Sequence, residues 1–208
     1  MTPERREAVL ERTRVIQIHV DRNAEAINGR MEPRMLERVN GRMNAVLASR
    51  ESPRDKVAAV WEIADELFGA VVGDNVACRR GCTHCCHIAV GVVGVEADLI
   101  GQRIGRAPVP VPGRTDFENF DYGYHNPCTF LKEGECSIYE HRPLACRVYY
   151  SLDIDDLMCV LTPPESAQVP SLNTFTIQEA LLLASGGPGP NNQLADIREF
   201  FPKVPDGR

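Results

Sequence analysis

The chain has 208 residues, 43% of them hydrophobic, and carries 23 Lys and Arg against 29 Asp and Glu, a net charge of −6. That length suits one ordinary globular domain with room for a helical extension, and the acidic balance gives nucleic acid or an anionic membrane little to attract. No run is long and apolar enough to span a bilayer, and MTPERREAVLERTR has charges where a secretory peptide has its apolar stretch, so the expected setting is cytoplasmic, without nucleic-acid or membrane partners.

In chain order, Thr2 is an N-cap with Pro3 at the first helical position, and the charged segment behind them predicts a helix running to the stop signal Asn28-Gly29. A second helix is predicted from Pro33 to about Ser49. The third has the best start signal, because Ser52-Pro53-Arg54-Asp55 combines an N-cap, a first-turn proline and an acidic residue three positions on. Its residues Val57, Val60, Trp61, Ala64, Leu67, Phe68 and Val71 recur at three- and four-residue spacing, which defines one buried stripe. This part reads as a scaffold, with Trp61 and Phe68 as its anchors.

Further on, HIAVGVV is short and β-branched, and GVEADLIGQRI predicts a helix ending near Gly105. The stretch 106–127 is rich in proline, glycine and aromatics and predicts an irregular covering loop. CTFL and CSIY flank Lys132-Glu133-Gly134-Glu135, a hairpin signal, and HRPLACRVYY predicts a helical turn from Pro143. The C-terminal part offers an apolar helix near Thr176 to Ala184, a flexible GGPGPNN linker and a short closing helix around Leu194 to Phe200.

The chemistry is concentrated in the cysteines, of which the chain has eight. None falls in the first 77 residues; Cys78, Cys82, Cys85 and Cys86 then come together in CRRGCTHCCH, followed by Cys128, Cys136, Cys146 and Cys159. In a reducing compartment such thiols read as ligands or redox groups rather than disulfide staples. On a helical backbone the first four would share a sector of about 100°, which is also the pattern of a core stripe. An ordinary stripe mixes in leucine and valine, whereas these thiols are interleaved with Arg79, Arg80, Thr83 and His84. Cations stabilise thiolates, and thiolates bind metals. Cys82-Thr83-His84-Cys85 is formally a disulfide-exchange motif, yet that chemistry needs only two cysteines and a βαβ context that is missing.

These residues carry a resemblance. CRRGCTHCC, followed by CTFLKEGECSIYEHRPLACRVYYS, resembles the YkgJ-type cysteine-cluster proteins, described as a zinc- or iron-chelating domain, over roughly residues 76 to 160. Thr129 stands where the family usually has proline, and the cluster opens with C-x-x-x-C; neither departure removes a ligand. The resemblance implies metal binding. By its cysteines the pattern is also similar to the flagellin lysine methylase group, which is associated with an iron-sulfur cluster, but no glycine-rich loop for S-adenosylmethionine is present and methyl transfer is not expected.

Structural zinc sites usually pair two short knuckles, and only one is found here. Irregularly spaced cysteines suit a cluster wrapped by several loops, although thiolates bind both metals well. Adjacent Cys85 and Cys86 should diverge, by about 100° on a helix or to opposite faces of a strand, so that they serve separate metals or separate corners of one cluster. Arg142 and Arg147, around Pro143, are placed to offset thiolate charge and donate hydrogen bonds to sulfur. His84 and His87 are expected to be solvated or hydrogen-bonded, and Tyr139 and Tyr149 to cover the site.

The expected molecule is mainly α: a helical N-terminal scaffold over 1–75, an irregular, metal-organised cysteine core with small β elements over 76–160, and C-terminal helices and tail over 161–208 packed on the same unit. The expected ligands are Cys78, Cys82, Cys85, Cys86, Cys128, Cys136, Cys146 and Cys159, with Cys159 at the edge of the set. The favoured cofactor is an iron-sulfur cluster of 4Fe–4S type, with zinc as the alternative. The corresponding functions are redox or modification chemistry at an iron centre, a zinc-stabilised interaction module, or a metal-handling chaperone. Metal ions are the expected partners, a protein partner or substrate stays open, and no catalytic residue is read.

Overall fold

The computed structural model describes residues 2–160, 168–190 and 192–203. Among them the chain is mainly α, with seven α-helices and two small two-stranded sheets. α1 (Pro3–Arg30) begins as its sequence requires: the Thr2 hydroxyl accepts the Arg5 amide at 3.3 Å, and Pro3 occupies a position whose N–H needs no partner. α2 covers Pro33–Ala48, and α3 covers Pro53–Val71 with the Ser52 hydroxyl accepting the Asp55 amide at 3.2 Å.

α3 is the central strut, packing against α1 and α2 on the N-terminal side and against later helices on the others. Val57, Val60, Trp61, Ala64, Phe68 and Val71 of the stripe are buried, the valines and Phe68 each worth about 1.5–3 kcal/mol if fully removed from water. Ile63 is buried as well, off the stripe, because neighbours enclose α3 on more than one side, and Leu67 is only partly buried. By contrast α1 buries just Val9, Asn23 and Ile27. Polar ties hold it instead: Arg12 reaches Asp153 and Asp155, Asn23 donates to the Leu152 carbonyl, and Arg30 donates to the carbonyls of Val71 and Val72.

β1 (Gly91–Val93) leads directly into α4 (Gly94–Ile104), which Gly105 closes at φ 68°. The chain then doubles back so tightly that a Cβ on Gly101 would lie 2.7 Å from the Arg106 carbonyl. β2 (Leu131–Lys132) and β3 (Glu135–Cys136) form a hairpin whose central residues, Glu133 and Gly134, both have positive φ, as a tight right-twisted turn requires. α5 (Leu144–Arg147) and α6 (Phe175–Ala184) follow.

Two C-terminal expectations change. Leu194–Asp196 is not helical but forms β4, antiparallel to β1 with Val92 opposite Ala195; only Ile197–Phe200 is helical, as α7. Tertiary pairing wins here because β1 offers an unpaired edge, while Asp196 and Glu199 form a capping box that starts the helix three residues late. The GGPGPNN stretch is anchored rather than slack: the Asn192 side chain donates to the Ser185 and Gly187 carbonyls and accepts the Val95 amide. Asn191 of that stretch lies outside the described residues. The apolar core is continuous from the N-terminal helices through Val90–Ile100 and Cys128–Leu152 to Phe201. No helix among the described residues is long and apolar enough to cross a membrane.

Candidate metal centre

The CRRGCTHCCH segment is not a helix. Cys78 to Thr83 form turns, with Gly81 at φ 87°, and only His84–His87 close a single 3-10 turn. Position along the chain therefore says little about where these thiols point. Their surroundings are set by the later segments. The Cys78 sulfur accepts the Ser151 amide at 3.2 Å while the Ala77 amide donates to the Ser151 carbonyl, so one residue fixes the entry to the cluster from both sides. The Cys128 amide donates to the Cys86 carbonyl at 2.7 Å, tying the second cysteine block to the first. Cys136 ends the hairpin on β3, Cys146 sits on α5 and Cys159 lies in the 3-10 turn Leu157–Cys159.

All eight cysteines are free thiols, and each lies within electrostatic reach of others. Cys78, Cys82 and Cys159 are mutual neighbours, with the Asp156 carboxylate beside Cys82 and Cys159. Cys128, Cys136 and Cys146 are neighbours of one another, and Cys86 faces Cys128 and Cys146. Cys85 borders both sets, its charge being felt at Cys78, Cys82, Cys86, Cys136 and Cys146. Cys85 and Cys86 are neighbours on the 3-10 turn His84–His87. Each thiol acts on the other, which pulls Cys85 down to about 7 and pushes Cys86 up.

Burial raises the other thiols, Cys159 to about 12 and Cys146 well above its ordinary value. Positive charge opposes burial at three points, one of them Arg79 beside Cys82. The Arg142 guanidinium, stacked 3.8 Å over the Tyr139 ring, favours the thiolate at Cys78, Cys85, Cys136 and Cys146. Arg198 does the same for Cys128. Arg147 faces the other way: it ion-pairs with Asp65, donates to the carbonyls of Glu140 and Arg142, and lies 4.4 Å over the Trp61 ring. Tyr149 stands beside Cys159, Cys85 and Cys78 with its hydroxyl pushed up to about 12, chiefly by burial. His84 is held by Asp156 at 3.0 Å, while the His87 ring packs on Tyr124.

Residues 77–160 match the family model CxxCxxCC, described as "Putative zinc- or iron-chelating domain". The match takes in 84 of the 208 residues, and their pattern is that of a CxxCxxCC domain. No curated protein and no solved structure matches the chain. The CxxCxxCC domain spans all eight cysteines, and its donor set fits a thiophilic zinc or iron ion. Among the described residues, no three His, Cys, Asp or Glu side chains are gathered as they stand into one ion site; the donors share a region rather than a point.

Sequence reasoning missed the supports that lie outside the CxxCxxCC domain. Arg198, on α7, donates to the carbonyls of Cys86, Ile88 and Asn126 and pairs with both oxygens of buried Asp196, which in turn accepts the Val90 amide. One guanidinium thus clamps both cysteine blocks to the C-terminal strand. Inside the domain, Glu96 is fully buried and accepts from the Trp61 indole at 2.8 Å and the Leu144 amide at 2.7 Å, fixing the start of the helix that carries Cys146. The capping box around Asp196 is visible in DIRE, but nothing in the sequence connects it to Cys86.

Proposed function

We propose that the CxxCxxCC domain holds iron in a polynuclear centre of iron-sulfur type, 4Fe–4S by preference, used in redox or modification chemistry. The observation that carries this reading is the distribution of donors: eight thiols share one region, and Cys85 is within electrostatic reach of Cys78 and Cys82 as well as of Cys86, Cys136 and Cys146. A closed tetrahedral zinc site takes four ligands, whereas a centre with several metal atoms uses neighbouring thiols at separate corners. Loop-borne ligands support the same reading, as do Arg142 and Arg198, which offset charge as the thiols lose their protons. Free thiols throughout support a reducing, cytoplasmic setting.

The test is iron, zinc and acid-labile sulfide analysis of anaerobically purified protein, with electron paramagnetic resonance after reduction. Iron with matching sulfide is expected, and Cys85→Ser should lower both. Zinc without sulfide, undiminished in Cys85→Ser, would replace the proposal with a structural zinc module.

A further inference from the structure

A cleft of about 410 Å³ opens against the thiols. One wall is the segment entering β1, the floor is α5 with Val148 and Tyr149, and the other wall is the stretch 171–178 that opens α6; Cys85 and Cys146 lie in its lining. We infer that this cleft is a binding site for an uncharged amide bearing an apolar group, seated at the Cys85 and Cys146 edge of the metal centre. That the edge is metallic rests on the proposed function; the cleft itself does not.

The ligand class follows from the lining. No Lys, Arg or His contributes to it, so an anionic ligand would lose its hydration without gaining a partner. Two side-chain amides are half used. Asn173 accepts the Phe175 amide at 3.1 Å through its carbonyl oxygen, which leaves its NH2 as donor. Gln178 donates to the Thr174 hydroxyl at 2.9 Å, which leaves its oxygen as acceptor. A donor and an acceptor on one wall complement the C=O and N–H of an amide group. Phe175, 65% exposed beside them, supplies an apolar face that packs on nothing in the fold strongly enough to be covered. The volume falls in the range of small-molecule pockets, which combine apolar walls with a few convergent polar groups.

The experiment titrates the full-length, metal-loaded protein with N-benzylacetamide while following backbone amide NMR signals, beside benzoate as the charged control. Shifts at Gly91 and at 171–178 are expected with the amide, and about tenfold weaker binding of benzoate, the cost of one negative charge left without a partner. Gln178→Ala, an exposed position, should weaken the amide about tenfold, and Phe175→Ala should weaken it as well. Equal binding of both compounds, shifts elsewhere only, or unchanged binding in Gln178→Ala would overturn the inference. Metal analysis of the same samples separates the two ideas: loss of amide binding with iron retained removes the cleft alone, and an intact cleft in protein without iron removes the metal reading alone.

Discussion

At Arg198 a single side chain joins three carbonyls of the cysteine blocks to a fully buried carboxylate, and 7% of its surface is exposed. Removing it leaves Asp196 uncompensated. Arg198→Met should therefore cost about 3–5 kcal/mol in urea unfolding and lower metal retention, with Arg198→Lys intermediate because it restores the charge without the fork. The two arginines around Pro143 divide by the same reasoning. Arg142→Ala withdraws positive charge from four thiols and should slow metal uptake and raise the pH at which it occurs, whereas Arg147→Ala should chiefly loosen the contact with α3. Uptake followed against pH, with denaturation in parallel, distinguishes them. Glu96 supplies a pH signature of its own: burial pushes it up to about 7 even though Leu144, Trp61 and Arg147 all favour its charge. Between its unfolded value near 4.5 and about 7, the folded state keeps a proton that the unfolded state releases, so stability falls as pH rises through that window, by roughly 3 kcal/mol. Urea midpoints of metal-free wild type against Glu96→Gln should show that slope in the first and a flatter one in the second.

At the scale of elements, the cysteines stand on the least regular parts of the chain. Apart from the hairpin strand β3 and the one-turn helix α5, they sit in turns and 3-10 turns, joined by scattered backbone bonds. The helices before them are capped and amphipathic and hold through burial. Chelation should consequently expose the segments around 78–89 and 150–160 to protease first while circular dichroism keeps most of its helical signal; initial cleavage inside α1, α2 or α3 would contradict this. The difference also explains which elements were legible. Thr2-Pro3, Ser52-Pro53 and Gly105 are local stop and start signals, and the structure follows them. β4 has no such signal, because its state is decided by β1, about a hundred residues away in sequence.

Over the whole molecule, the CxxCxxCC domain depends on what flanks it. Its β1 pairs with β4, its Glu96 is bonded by Trp61, its Arg147 rests on Asp65, and its cluster backbone is clamped by Arg198. Residues 77–160 expressed alone should accordingly show weak secondary structure and poor metal retention, while full-length protein retains metal under the same dialysis. Equal retention by the fragment would make the flanking helices dispensable.

The sequence by itself determined the N-terminal helices and the hairpin, because these rest on short-range signals: caps, periodicity and turn residues. Only the tertiary structure decided that Cys85 borders two sets of thiols, that Arg142 faces them while Arg147 turns to Trp61, and that Arg198 holds the cluster from outside its domain. The reason is physical. In an irregular segment side-chain direction has no period, so it is set by whichever distant backbone groups and charges complete the hydrogen bonds that burial demands.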